Sequence, residues 1–229
     1  MLDFNETKDS YRGAIDDSVG FTGADHAFFI NEKGRMILEQ AQARFGAGKK
    51  LQILDVGCGH GFVHPILLDA GHDITGVEIA EEVLTLAGKA NPRAHYLPYD
   101  GQALPVADAS FDVVVTMCVV HHVPVPQWGD FLKELRRVVR PDGVVLIFEH
   151  NPLNPVVNYL FHHGFGGMDK GATMVGRGRL EKMLNMAGCS SVRSRYIFFT
   201  PFGNPFFRWL DRVLAWLPLG AQYMTQARR

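Results

Sequence analysis

Residues 51–62 read LQILDVGCGHGF. The first half, Leu51-Gln52-Ile53-Leu54-Asp55-Val56, is a short apolar run rich in branched side chains. That is the pattern of a strand buried on both faces of a parallel sheet. Gly57, Gly59 and Gly61 follow, and an apolar-periodic segment begins after them. A strand that passes through a glycine-rich turn into a helix brings bare backbone close to a ligand. It also aims the free N–H groups of the helix start at that ligand, which suits a phosphate or a carboxylate. The turn is therefore expected to hold a nucleotide-like cofactor at the carboxyl end of the first strand.

Spacing narrows the cofactor. In the dinucleotide fingerprint G-x-G-x-x-G the third glycine would fall on Phe62. No tyrosine in the chain has a lysine four residues later, so the Tyr-x-x-x-Lys pair of many nicotinamide oxidoreductases is missing. The pattern present is Asp55-x-Gly57-x-Gly59-x-Gly61.

Composition bounds the rest. The chain has 229 residues, 47% of them apolar and 21% charged, which fits one α/β domain with a sizeable core. A net charge of −1 gives no electrostatic footprint for nucleic acid. Cys58, Cys118 and Cys189 are far apart in sequence and read as reduced thiols of a cytoplasmic protein. The N-terminal MLDFNETKDSYRG lacks the apolar core of a signal peptide, and no apolar run approaches a membrane span.

In chain order, residues 24–45 are expected to be helical and 63–70 to form the first helix after the turn. The second strand, Asp73 to Glu78, ends in an acid 19 residues past Gly59. A carboxylate at that tip suits hydrogen bonds from both ribose hydroxyls. The competing role is an acid at the start of the helix over 81–90. A third strand is expected at 94–97 and a fourth over the apolar run after Phe111-Asp112. An amphipathic helix over 127–139 ends in Arg140-Pro141-Asp142-Gly143, read as a turn with Gly143 at positive φ. A fifth strand over 144–148 exits into Glu149-His150-Asn151.

Four stretches in this order, DVGCGHG, GVEIA, YDGQALP with FDVVVTM, and LRRVVRPDGVVLI, resemble the motifs of the class I S-adenosylmethionine (SAM) dependent methyltransferases. The resemblance covers residues 50–150. It implies a Rossmann-like, doubly wound α/β fold with seven strands in the order 3-2-1-4-5-7-6 and strand 7 antiparallel. It also implies SAM across the carboxyl ends of strands 1, 2 and 4, with S-adenosylhomocysteine as product. By this resemblance the cofactor set is Asp55, Gly57, Cys58, Gly59, Glu78, Ile79 and Cys118, with Asp100 accepting from the adenine amine and Gly101 and Gln102 lining the ring. Tyr11, with His26 and Phe29, is a candidate lid; packing of the helix onto the sheet is the alternative for the latter two. The sequence departs from the family in the bulky Phe62 and His64 after the third glycine, and in Pro65, which a helix tolerates only in its first turn.

Methyl transfer is an in-line displacement, so the protein must position the acceptor and exclude water. A hydroxyl acceptor also needs a base. His121, His122 and His150, at the carboxyl ends of strands 4 and 5, are the candidate catalytic residues, since imidazole titrates near neutral pH. Adjacent residues leaving a strand point oppositely, so only one of His121 and His122 is expected to face the pocket. His60 and His64 have i, i+4 spacing but no third ligand nearby, so no metal site is expected. His162 and His163 read as loop, and Arg136, Arg137 and Arg140 as a solvated face.

The chain is expected to be a single domain with an N-terminal helical lid (1–50), a SAM-binding core (51–150) and substrate-cap insertions at 151–180 and 201–219. A helix is expected over 179–187, with strands over 192–200 and 221–227. The aromatic helical stretch 205–217 is open to four readings: a lid over an apolar or aromatic acceptor, a peripheral membrane contact, a homodimer contact, or burial on the domain's own sheet. The Asn-Pro-Leu-Asn-Pro and Leu-Gly-Ala-Gln-Tyr segments resemble a bacterial group of such methyltransferases linked to glycan, lipid or secondary-metabolite assembly. The expected activity is methyl transfer from SAM to a small molecule, at a hydroxyl oxygen. N- or C-methylation, or a non-catalytic SAM-binding scaffold, are the alternatives.

Overall fold

A computed structural model describes residues 26–163, 169 and 171–229. Seven strands form one sheet in the order β3-β2-β1-β4-β5-β7-β6. They are β1 (Gln52–Val56), β2 (Asp73–Glu78), β3 (His95–Pro98), β4 (Phe111–Met117), β5 (Val139–His150), β6 (Ser190–Ile197) and β7 (Gln222–Arg228). The first five are parallel, and β7 runs antiparallel to both β5 and β6. The helices are α1 (His26–Phe45), α2 (His64–Asp69), α3 (Glu81–Ala90), α4 (Trp128–Val138), α5 (Pro155–His163), α6 (Arg177–Met186) and α7 (Pro205–Leu214).

The apolar runs of the central strands are continuous because both faces of the sheet are covered. On β4, Val114 joins one core with Trp128, Leu132 and Leu135 of α4 and Leu180 and Leu184 of α6. Its neighbours Val113 and Val115 join the opposite core with Met36 and Ile37 of α1 and Leu67 of α2. Gly34 lets α1 lie close on α2: a Cβ there would sit 2.9 Å from Ile66 Cδ1.

Differences from the sequence reading are local. Strand β5 begins at Val139, five residues before the expected start, because Phe111 pairs with Val139 before the register shifts to Val113 with Val144. Residues 140–143 are therefore a bulge within the strand. Gly143 is not among the positive-φ glycines. It is glycine because a Cβ would lie 2.8 Å from the Asp112 carbonyl and 2.6 Å from Val139 Cγ2. Strand β6 spans 190–197 rather than 192–200, ending where Phe198 turns to φ 62°. His162 and His163 lie in α5 rather than in a loop, each Nδ1 at the carbonyl four residues back. The three arginines are not simply solvated: Arg136 donates to the Gly188 carbonyl, Arg137 pairs with Glu134 and Asp108, and Arg140 pairs with Asp112.

Helix α7 is capped by Asn204, whose side chain accepts from the amides of Phe206 and Phe207. Burial on the domain's own sheet, one of the four readings for this stretch, is only partial: Phe207, Leu210 and Leu214 are half-buried and no residue of α7 is fully buried. Trp209 is 55% exposed and Trp216, just past the helix, 72%. Among the described residues no helix is long and apolar enough to cross a membrane.

Candidate active site

The carboxyl ends of the parallel strands form one edge of the sheet, and the expected site residues from 55 to 150 gather there. Gly57, Gly59 and Gly61 all have positive φ, at 72°, 51° and 65°. Gly57 is also forced by packing, since a Cβ would lie 2.5 Å from Val119 Cγ2 beyond β4. A Cβ on Gly59 would meet nothing within 4 Å, so the outer side of the loop is open to a ligand.

The amides of the loop are more committed than expected. Gly57 and Cys58 both donate to the Val77 carbonyl, and Gly59 donates to Glu78 Oε2 at 2.9 Å. Glu78 Oε1 accepts from Ile79 and Ala80 at 2.8 and 3.2 Å. The carboxylate therefore ties the tip of β1 to the tip of β2 and holds the start of α3, the second of the two roles weighed for it. A carboxylate has about four acceptor sites, so one remains for a hydroxyl. Helix α2 has only six residues, and its first amide, His64 N, donates to the Gly61 carbonyl.

Asp55 and Cys58 turn inward. Asp55 is fully buried and pairs with His64 Nε2 at 3.1 Å, while His64 Nδ1 meets the Tyr96 hydroxyl at 2.6 Å. His64 is thus a buried structural residue. The Cys58 thiol packs against Gly76, and burial pushes its pKa far up, helped by Asp55 and Glu78. Asp100 Oδ1 accepts from Gln102 and Ala103, which closes a turn at the site edge with Gly101 at φ 81°. Ile79, between Glu78 and α3, is apolar yet 45% exposed. Phe62 packs edge-on against His26 and stacks on His60, so the start of α1 lies against the glycine loop. Tyr11 lies outside the described residues.

Beyond β4 the backbone turns sharply, with Cys118 at φ 59°. Val120–His122 then form one 3-10 turn. In such a turn successive side chains diverge by about a third of a circle instead of alternating across a strand. The expectation that only one of the two histidines faces inward is therefore corrected. His121 Nε2 and His122 Nε2 both lie 3.4 Å from Asp169 Oδ1. His121 Nδ1 meets Glu149 Oε2 at 2.6 Å, and Glu149 Oε1 accepts from the Val120 amide at 2.8 Å. Burial alone would lower the pKa of His121. The charge of Glu149, the nearby Asp169 carboxylate and the hydrogen bond to Glu149 overcome it and raise the value to about 10. His122 falls to about 4, through burial and the charge of His121. Phe161 of α5 packs edge-on against both His121 and His150.

Three partners were not legible in the sequence. Lys33 of α1 is buried and reaches the Cys118 thiol at 3.5 Å, and Gln222 Nε2 reaches it at the same distance. Asp169 comes from the connection between α5 and α6. The only sequence signal for it was a lone acid in a glycine-rich stretch.

Residues 54–147 match a family model described as a methyltransferase domain. The strand order and the position of the glycine loop agree with that match. Among curated proteins, a malonyl-[acyl-carrier protein] O-methyltransferase of Erwinia pyrifoliae is 37% identical over 125 residues, 53% of this chain and 44% of that protein. A ubiquinone biosynthesis O-methyltransferase of Caulobacter sp. is 34% identical over 123 residues, 48% of each. The chain thus spans about half the length of these curated relatives. A TehB-like SAM-dependent methyltransferase of Corynebacterium glutamicum has the same fold, with a TM-score of 0.64 over 98% of this chain and 97% of that one at 16% identity.

Proposed function

We propose that this chain transfers a methyl group from SAM to a hydroxyl oxygen of a small molecule. The observation that carries the reading is a juxtaposition at one sheet edge. The Gly59–Glu78 contact lies at the ends of β1 and β2, and the His121, His122, Glu149 and Asp169 cluster lies at the ends of β4 and β5. The residues fit the adenosyl group: an open glycine loop, a tip carboxylate with an acceptor site left, and an exposed apolar Ile79 beside the Asp100 turn. Glu78 would accept from the ribose, Asp100 from the adenine amine, and Ile79, Gly101 and Gln102 would cover the ring. When bound, SAM supplies a methyl made electrophilic by its sulfonium.

The chain's own task is then to hold the acceptor oxygen in line and take its proton. His121 and His122 are both committed to Asp169, which leaves His150, hydrogen-bonded to the Cys118 thiol, to receive it. Phe161 shields this side from water. The exposed aromatic face of α7 and the turn after it suits an apolar or aromatic acceptor, as a lid at the edge where β6 ends. The relatives act, by their names, on an acyl-carrier-bound malonyl group and in ubiquinone biosynthesis, both as O-methyltransferases.

The test is calorimetric titration with S-adenosylhomocysteine, with NADH in parallel, followed by a screen of phenols, sugars and aliphatic alcohols with labelled SAM. Micromolar binding of the first ligand alone and label in an ether or ester product are expected. Binding of NADH alone overturns the cofactor. Label on nitrogen or carbon overturns the acceptor atom. Cofactor binding with no turnover on any acceptor class favours a scaffold role.

A further inference from the structure

Two imidazole nitrogens, on consecutive residues of one turn, converge on a single carboxylate oxygen. Each Nε2–Oδ1 distance is 3.4 Å, longer than a good N–H···O hydrogen bond, which runs about 2.7–3.2 Å. It is also too short for a bridging water. It matches another arrangement. Ligand atoms each about 2.0–2.2 Å from one metal ion, at a tetrahedral angle, stand about 3.4 Å apart. The ligand atoms of His121, His122 and Asp169 all fall within 4.8 Å of one another.

The surroundings are those of a metal-binding histidine. Metal-bound imidazoles donate their second ring nitrogen to a carboxylate or carbonyl, which fixes the ring and selects the ligating atom. His121 does so through Nδ1 to Glu149, itself held by the Val120 amide. His121 is 2% exposed and Asp169 9%, while the His122 side chain is 21% exposed. The site is thus closed on the protein side and open on one. Sequence spacing hid it, because Asp169 is remote from the histidine pair and lies between α5 and α6.

We propose that His121, His122 and Asp169 bind one divalent first-row transition-metal ion, with Glu149 as the positioning residue. Two imidazoles and one carboxylate select that class, since magnesium and calcium prefer all-oxygen shells. Three protein ligands leave a coordination position open, as in catalytic rather than structural sites. Its use by the acceptor oxygen rests on the methyl-transfer reading; binding of the ion does not.

The experiment uses the full chain, stripped with a chelator and then dialysed. Cobalt(II) is titrated by visible absorption and zinc by calorimetry, with magnesium as control. One equivalent of cobalt and of zinc is expected, and none of magnesium. Asp169→Asn and His122→Asn should each weaken binding at least tenfold, and Glu149→Gln about 10–100-fold. S-adenosylhomocysteine affinity, measured on the same samples, reports whether the variants are folded. Asp169→Asn binding cobalt as tightly as the parent, or a parent with no stoichiometric site, overturns the proposal. Metal binding lost in the variants while the parent fails to bind S-adenosylhomocysteine supports the metal site and sinks only the cofactor reading.

Discussion

Lys33 lies 3.5 Å from the Cys118 thiol, joining α1 to the end of β4. Burial pushes that thiol up, but the Lys33 ammonium and His150 outweigh it and bring the pKa down to about 7. Burial raises Cys58 and Cys189 instead. A lowered pKa means more thiolate at neutral pH, and the thiolate is the nucleophile. Iodoacetamide at pH 7 should therefore modify Cys118 ahead of the other two. Lys33→Met should move the midpoint of the alkylation pH profile upward and slow the reaction at pH 7. Peptide mapping that finds Cys58 modified first would contradict this.

Glu78 makes three hydrogen bonds to backbone amides and is proposed to make a further one to cofactor. Glu78→Ala should weaken S-adenosylhomocysteine binding by about 1–3 kcal/mol, the scale for losing a charged hydrogen-bonding group. Calorimetry checks it, and unchanged affinity would remove Glu78 from the site.

His64 and Asp55 are both fully buried, and Asp55 Oδ1 has no protein partner among the described residues. Removing His64 would strand the acid. We expect His64→Ala to lose about 3–5 kcal/mol of stability in urea denaturation. A loss below 1 kcal/mol would show that the pair adds little.

Gly143→Ala should destabilise by about 1–3 kcal/mol through overpacking, although its φ is accessible to alanine. A neutral melting shift would mean the β5 bulge relaxes freely around the added methyl.

What was legible followed from periodicity and buried strands. The run 51–56 can only be a central strand, and β2 and α3 fell on their expected residues because Glu78 and Ala90 sit at sharp changes of pattern. The bulge at 140–143 was hidden because Pro141 and Gly143 look like a turn when the pairing with Phe111 cannot be seen. Lys33 was hidden because a lysine on an amphipathic helix reads as solvated, yet here it is buried beside a thiol. The His121–His122–Asp169 grouping depends on the chain returning between α5 and α6, which no local pattern encodes.

Helix α1 is the first described helix, yet its partners lie far along the chain. Glu32 accepts from Arg208, 176 residues away, and Phe29 packs on Phe198. On a ribosome, Met36, Ile37 and Ala41 would wait with their apolar face uncovered until most of the chain had emerged, because their neighbours include Phe148, Ile197 and Met224. Such a wait makes C-terminal truncations of this chain prone to aggregate.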